Sequence, residues 1–147
     1  MFKHILIPTD GSPVAEKAVK AGLDLAKALG AKVTGYHGID VIPQQVYGEG
    51  YILGRRMIKE VEQIARKGAE KHMAAMALLA AATGVPFTTL IATAESPYEG
   101  IIAAAKKQKC DAIFMASHGR RGVAGLVLGS VTQKVLTHTR LPVLVYR

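Results

Sequence analysis

The chain has 147 residues, half of them hydrophobic and a fifth charged, with no tryptophan. That size and balance suit one globular domain, residues 1–147, whose core is built from Ala, Val, Ile, Leu and Met. The formal net charge of +8 favours anionic partners. The basic pairs are scattered, no run reaches five like charges, and aromatic interleaving is slight, so neither a basic tail nor nucleic-acid binding is expected.

A lone cysteine, Cys110, precludes an internal disulfide and fits a reducing cytoplasm. The start, MFKHILIPTDG, is broken too early by Pro8 and Asp10 to read as a signal peptide. The longest apolar run, Met73 to Ala82, is about half of a membrane span. The expectation is a soluble cytoplasmic protein with no membrane partner.

In chain order, Lys3 to Pro8 carries the apolar run Ile5-Leu6-Ile7, which suits a strand covered on both faces. Ser12 can cap a helix whose first position is Pro13. Ala15, Ala18, Val19, Gly22, Ala26 and Leu29 follow helical spacing, and Gly30 is a natural stop. Lys32 to Ile39 reads as the second strand, and Asp40 to Tyr51 as a long irregular loop. A long helix then runs to about Gly84, with Met57, Val61, Ile64, Ala65, Gly68, Ala69 and Met73 on its packed side.

Pro86 to Ala92 is the third strand. Ser96-Pro97-Tyr98-Glu99 forms a capping box for a third helix, Pro97 to Lys107. Asp111 to Ser117 is the fourth strand, with Cys110 at its start as a small core residue. The glycine-rich stretch SHGRRGVAGLVLGS comes next. Ser130-Val-Thr-Gln133 reads as a second capping box, opening a helix to about Thr139. Leu141 to Tyr146 is the last strand.

Strands alternating with helices argue for an α/β sandwich: a five-stranded parallel sheet with helices on both faces. Ligands in such sheets bind beyond the carboxyl ends of strands, where the strand order reverses. Pro8-Thr9-Asp10 and the glycine-rich loop, residues 117–130, are therefore the site candidates. In the glycine-rich loop, backbone N–H groups can approach a ligand closely, and the adjoining helix start offers unpaired donors with positive polarity. Together they make an anion site, to which His118, Arg120 and Arg121 can add charge. A mobile surface loop with a well-made cap is the plainer alternative. Asp10 is either a ligand carboxylate or a turn residue bonded to its own backbone in TDGS.

Other chemistries find no support. The loop does not match GxxxxGK[ST], and no GxGxxG succeeds the first strand. No histidine pairs with another at metal-ligand spacing. No GxSxG elbow or ordered Ser-His-Asp set nominates a nucleophile.

HILIPTDGS, SPYEGI, CDAIFMASHGRRG, LVLGSVTQKVL and LPVLVYR, in that order, resemble the universal stress protein family across essentially the whole chain. The resemblance implies the adenine nucleotide alpha hydrolase-like fold with strand order 3-2-1-4-5. It also implies an ATP-binding pattern, Gly-x2-Gly-x9-Gly-Ser/Thr, matched here at Gly119, Gly129 and Ser130, with Ala116 in place of the first glycine. Alanine there is harmless on extended backbone and obstructive where φ is positive or the ligand comes closest.

By the same resemblance, Asp10 contacts the adenine or ribose end beside Pro8 and Thr9, and the Gly38 backbone meets the base where most relatives carry a larger apolar residue. Gly119, Arg120 and Arg121 line the ribose and phosphates, Ser130, Val131 and Thr132 hold phosphates, and Met115, Ala116 and His118 complete the expected nucleotide-binding set. The ligand implied is ATP, or AMP or ADP, with Mg2+ held through the phosphates. A homodimer through Pro142 to Tyr146 and a regulated protein partner complete the expectation. A slow ATP hydrolase using the same pocket, and a non-binding structural or chaperone-like dimer, are the alternatives.

Overall fold

The computed structural model describes residues 1–42, 54–119 and 128–147, with Arg55 described by its backbone alone. Arg120, Arg121 and most of the expected loop before α2 lie outside the described residues. Nine elements alternate along the described chain: β1 (His4–Pro8), α1 (Pro13–Leu29), β2 (Lys32–Asp40), α2 (Arg55–Thr83), β3 (Phe87–Ala94), α3 (Pro97–Lys107), β4 (Ala112–Ala116), α4 (Ser130–His138) and β5 (Val143–Tyr146).

Local chemistry sets the helix ends. The Ala15 N–H donates to Ser12 Oγ at 3.2 Å, and Pro13 starts α1. Gly30 and Gly84 close α1 and α2 with φ of 63° and 75°, a left-handed conformation that glycine adopts without a Cβ penalty.

The five strands form one parallel sheet in the order β3-β2-β1-β4-β5. Side chains alternate across it. Ile5 and Ile7 pack with Ala18, Val19 and Leu23 of α1 and Met73 and Met76 of α2. Leu6, Tyr36, Ile113 and Met115 face the other way, onto Ile101, Ala104 and Ala105 of α3 and Val135 of α4. β1 and β4 are thus buried on both faces, as their unbroken hydrophobic runs predict, while the edge strand β5 is half-buried along its length. β1 lies between β2 and β4, so the chain's direction of winding reverses there.

Three local expectations need correction. Gly129, not Ser130, caps α4: its backbone is extended, and its carbonyl accepts the Gln133 N–H at 3.0 Å. Ser130 is the first helical residue and its hydroxyl makes no capping bond. At α3, Ser96 sits at the cap and its hydroxyl donates to Glu99 Oε2 at 2.7 Å, but its oxygen accepts no backbone N–H of the helix. Finally, Met57 is 51% exposed, and Val61 and Ile64 are exposed with it. The 29 residues of α2 span about 44 Å, whereas the nine of β2 span about 30 Å. The helix therefore outruns the sheet, and Ala69, Met73, Met76 and Ala80 in its second half do the packing.

Two buried titratable groups are structural. Burial, with a smaller contribution from Asp111, pushes the Cys110 thiol up to about 11. His4 Nε2 lies 2.8 Å from Thr34 Oγ1, which lies 3.0 Å from Thr88 Oγ1, so a polar chain crosses β1, β2 and β3. Burial first, then Lys32, lowers the His4 pKa below 6.5. The unfolded chain therefore binds this proton more readily. The resulting stability is fully present above 6.5 and is lost as pH falls through the folded-state value. Melting temperatures measured from about pH 7 to about pH 5 should decline, and the His4→Gln variant should show a shallower decline. An unchanged slope in that variant removes His4 as the cause.

Candidate functional site

The first wall forms where β1 ends. The Thr9 N–H donates to the Tyr36 carbonyl at 2.9 Å, which ties the turn to β2. The Gly11 N–H donates to Thr9 Oγ1 at 3.1 Å, and the Ser12 N–H to Asp10 Oδ1 at 3.0 Å. One Asp10 oxygen thus serves its own turn, as TDGS suggests. Gly11 has a φ of 75°, and the His72 imidazole occupies the space a side chain there would need.

The second wall forms where β4 ends. Ala116 is an extended strand residue paired with Tyr146 of β5. The Ser117 carbonyl accepts the Gly129 N–H at 2.7 Å, and Thr132 Oγ1 donates to the Ala116 carbonyl at 3.0 Å and to that of Ser117 at 3.3 Å. These bonds clamp the start of α4 onto the end of β4. A Cβ on Gly129 would stand 3.1 Å from the Ser117 carbonyl oxygen, so glycine permits the close approach. The first N–H groups of the helix, at Ser130, Val131 and Thr132, have no carbonyl four residues back within α4 to bond.

The walls meet across β1 and β4. A Cβ on Gly119 would lie 2.7 Å from Asp10 Oδ2, so the two chain segments touch there. Between them opens a cleft of about 370 Å³. Of the residues expected at the site, Pro8, Thr9, Asp10, Gly38, Met115, Ala116, His118, Ser130 and Val131 line it. Gly119 borders it through Asp10, while Gly129 and Thr132 stand behind the wall as its supports. His118 Nδ1 lies 2.8 Å from Ser117 Oγ, which holds the ring beside the cleft.

Residues that the sequence reading leaves out also line it: Ala15, Tyr36, His37, Ile39, Asp40, Ala94, Pro97 and Ile101. The carboxyl-end rule that nominates Asp10 applies equally to the end of β2, and a capped α3 start faces the same side. Those two signals point to Ile39, Asp40 and Pro97. Tyr36 and His37 lie deeper in β2, and nothing in their spacing distinguishes them from core.

Chemically, the cleft has two unlike ends. At one, a helix start presents backbone donors and positive polarity, suited to an anion. At the other, Gly38, Ile39, Ala94, Pro97 and Ile101 form a mostly apolar slot. Such a cleft, at the carboxyl edge of a doubly wound parallel sheet, defines the α/β class that holds ligands at the point where strand order reverses.

The sequence model of the universal stress protein family matches residues 1–147, and the chain belongs to that family. A universal stress protein of Thermus aquaticus is 36% identical over 148 residues, covering 100% of both chains. The solved structure of MJ0577, a universal stress protein of Methanocaldococcus jannaschii, matches with a TM-score of 0.83 at 30% identity, covering 99% of this chain and 95% of that one. A universal stress protein in complex with cAMP is 19% identical with a TM-score of 0.73, covering 99% of this chain and 97% of its own. One from Archaeoglobus fulgidus in complex with dAMP is 17% identical with a TM-score of 0.63, covering 100% and 98%.

Proposed function

We propose that this chain binds an adenine nucleotide, with ATP the leading candidate, and acts as a cytoplasmic, nucleotide-linked regulatory homodimer. One observation carries the reading: Asp10 and the start of α4 stand on opposite walls of one cleft that has an anion-suited end and an apolar end. Phosphates at the helix start leave the base to the slot beside Gly38. Two proteins of the same fold, solved in complex with cAMP and with dAMP, support a nucleotide as the ligand class.

Ala116 is compatible with it. Its backbone is that of an ordinary strand residue and it is not among the described residues with positive φ, so the methyl group imposes no conformational penalty. Arg120 and Arg121 are proposed as a charged lip over the phosphates, and Mg2+ as an ion carried mainly by the phosphates, since it needs few protein ligands. β5 pairs only with β4 among the described strands, so its outer edge is the proposed seam with a second copy, through Pro142 to Tyr146. Regulation results if nucleotide changes the surface shown to a protein partner.

Mass spectrometry of the protein purified under mild conditions should find an adenine nucleotide carried with it. An empty protein that also shows no thermal shift at millimolar ATP rejects the proposal. Gly119→Ala gives a sharper check. Its methyl group would press on Asp10 Oδ2, so ATP affinity should fall about tenfold, the scale of one charge-assisted hydrogen bond. Calorimetry showing the parent affinity would remove Asp10 from the site.

A further inference from the structure

The amino ends of the parallel strands form the edge of the sheet opposite the cleft. The fold gathers lysines there that the sequence scatters. Lys3 precedes β1, Lys32 opens β2, and the Lys32 N–H donates to the Lys3 carbonyl at 3.0 Å. Lys27 stands in the last turn of α1. Lys106 and Lys107 stand in the last turn of α3, and the Lys109 N–H donates to the Lys106 carbonyl at 3.1 Å. Asp111 ties this turn to β1, because its carboxylate accepts the Lys3 N–H at 2.8 Å and the His4 N–H at 3.1 Å. α1 covers one face of the sheet and α3 the other, so stretches distant in sequence meet at one pole.

All six lysines are exposed. Among the described residues the ion pairs are Arg56–Glu60 and Arg66–Glu70, both on α2, so none of the six is neutralised by a contacting carboxylate. Asp111 commits both its oxygens to backbone N–H groups. Six lysines against this one carboxylate amount to more than half of the net charge of +8. Helix polarity accounts for Lys27, Lys106 and Lys107, which stand at the negative carboxyl ends of α1 and α3. It does not account for Lys3, Lys32 and Lys109. Adjacent strands lie about 4.8 Å apart, within the screening length of about 8 Å at physiological salt, so neighbouring charges here reinforce one another.

We infer that this lysine pole is a docking surface for an acidic segment of a protein partner. The inference rests on the protein-partner part of the reading above and gives that partner a chemistry. It does not depend on the cleft. Lysine is a point charge on a flexible stem, which suits carboxylates on a pliant chain. Nucleic-acid phosphates are met by planar arginine forks, backbone N–H groups and helix amino ends. None of the six cations is an arginine, and α1 and α3 turn carbonyls toward the pole. Phe2, next to Lys3, packs against the core instead of standing out for a base to stack on. Because the pole faces away from the cleft, partner and nucleotide can be held together.

Fluorescence anisotropy of a labelled oligoglutamate tests it. The full chain should bind the peptide at low salt and release it as salt is raised. A triple variant, Lys3→Gln with Lys32→Gln and Lys109→Gln, should bind about tenfold more weakly. Lys17→Gln with Lys20→Gln and Lys67→Gln makes the same change in net charge at exposed positions of α1 and α2. That variant should stay within about twofold of the parent. Both spare the lysines at helix ends, so both should melt close to the parent. No peptide binding at low salt overturns the inference, and so does an equal loss in the two variants. Tighter binding to duplex DNA or to phosphatidylserine vesicles than to oligoglutamate also overturns it. The pole variant should keep the parent's ATP affinity. A protein that docks the peptide but binds no ATP refutes the nucleotide reading alone.

Discussion

Replacing Ser130 by proline should lower ATP affinity by about tenfold or more while leaving the protein folded and its melting temperature close to that of the parent. Ser130 is the first residue of α4, where proline is favoured because the lost N–H has no intrahelical partner. The preceding Gly129 has φ −70° and ψ 153°, the extended conformation a residue before proline prefers. The substitution therefore removes a backbone donor from the cleft at little conformational cost. It also removes the hydroxyl, so Ser130→Ala is the companion. If backbone donors hold the phosphates, the alanine variant keeps most of the affinity and the proline variant does not. Calorimetric titration of both, with thermal melts, separates the effects. Equal affinity in the proline variant would show that the helix start is not the anion site.

The largest effect on stability should come from Gly22→Val, at about 3 kcal/mol or more of destabilisation. Gly22 is buried in α1, and a Cβ there would stand 2.7 Å from Ile7 Cδ1 and 2.9 Å from Phe114 Cδ1. Ile7 and Phe114 belong to the central strands, so neither can move far without disturbing the sheet beneath the cleft. Gly68→Ala is the control. A Cβ at Gly68 meets nothing within 4 Å, so alanine should gain about 0.5–1 kcal/mol from helix propensity alone. Chemical denaturation of both variants checks the pair. A Gly22→Val protein as stable as the parent would mean that α1 does not lie this close to β1 and β4.

Much of the fold is legible in the sequence because its punctuation is local. Ser12 with Pro13, Gly30 and Gly84 each act through their own backbone conformation or a bond within one turn. The unbroken apolar runs Ile5-Leu6-Ile7 and Ala112 to Ala116 announce strands buried on both faces. The misread details depend on distant parts of the chain. Gly129 caps α4 because its N–H is drawn to the Ser117 carbonyl, whereas the Ser130…Gln133 pattern viewed alone favours the next residue. Met57, Val61 and Ile64 keep a helical period, but period does not reveal that α2 is longer than the sheet it covers.

The site divides in the same way. Asp10 and Ser130 are found from their positions beyond the carboxyl ends of strands in a parallel sheet. Pro8, Thr9, Asp10, His118 and Ser130, nominated in this way, line the cleft, and Gly38, Met115, Ala116 and Val131, expected from the family resemblance, line it with them. Tyr36 is invisible to that rule. It lines the cleft from within β2, and nothing in its spacing separates it from core.

The central claim is that the cleft between Asp10 and the start of α4 binds an adenine nucleotide. A calorimetric titration of the full chain with ATP and magnesium tests it most directly. Saturable binding of one nucleotide per chain, weakened in Ser130→Pro and in Gly119→Ala, is the predicted result. No heat at millimolar ATP from a folded protein free of carried-over nucleotide, or binding that both variants leave unchanged, would contradict it.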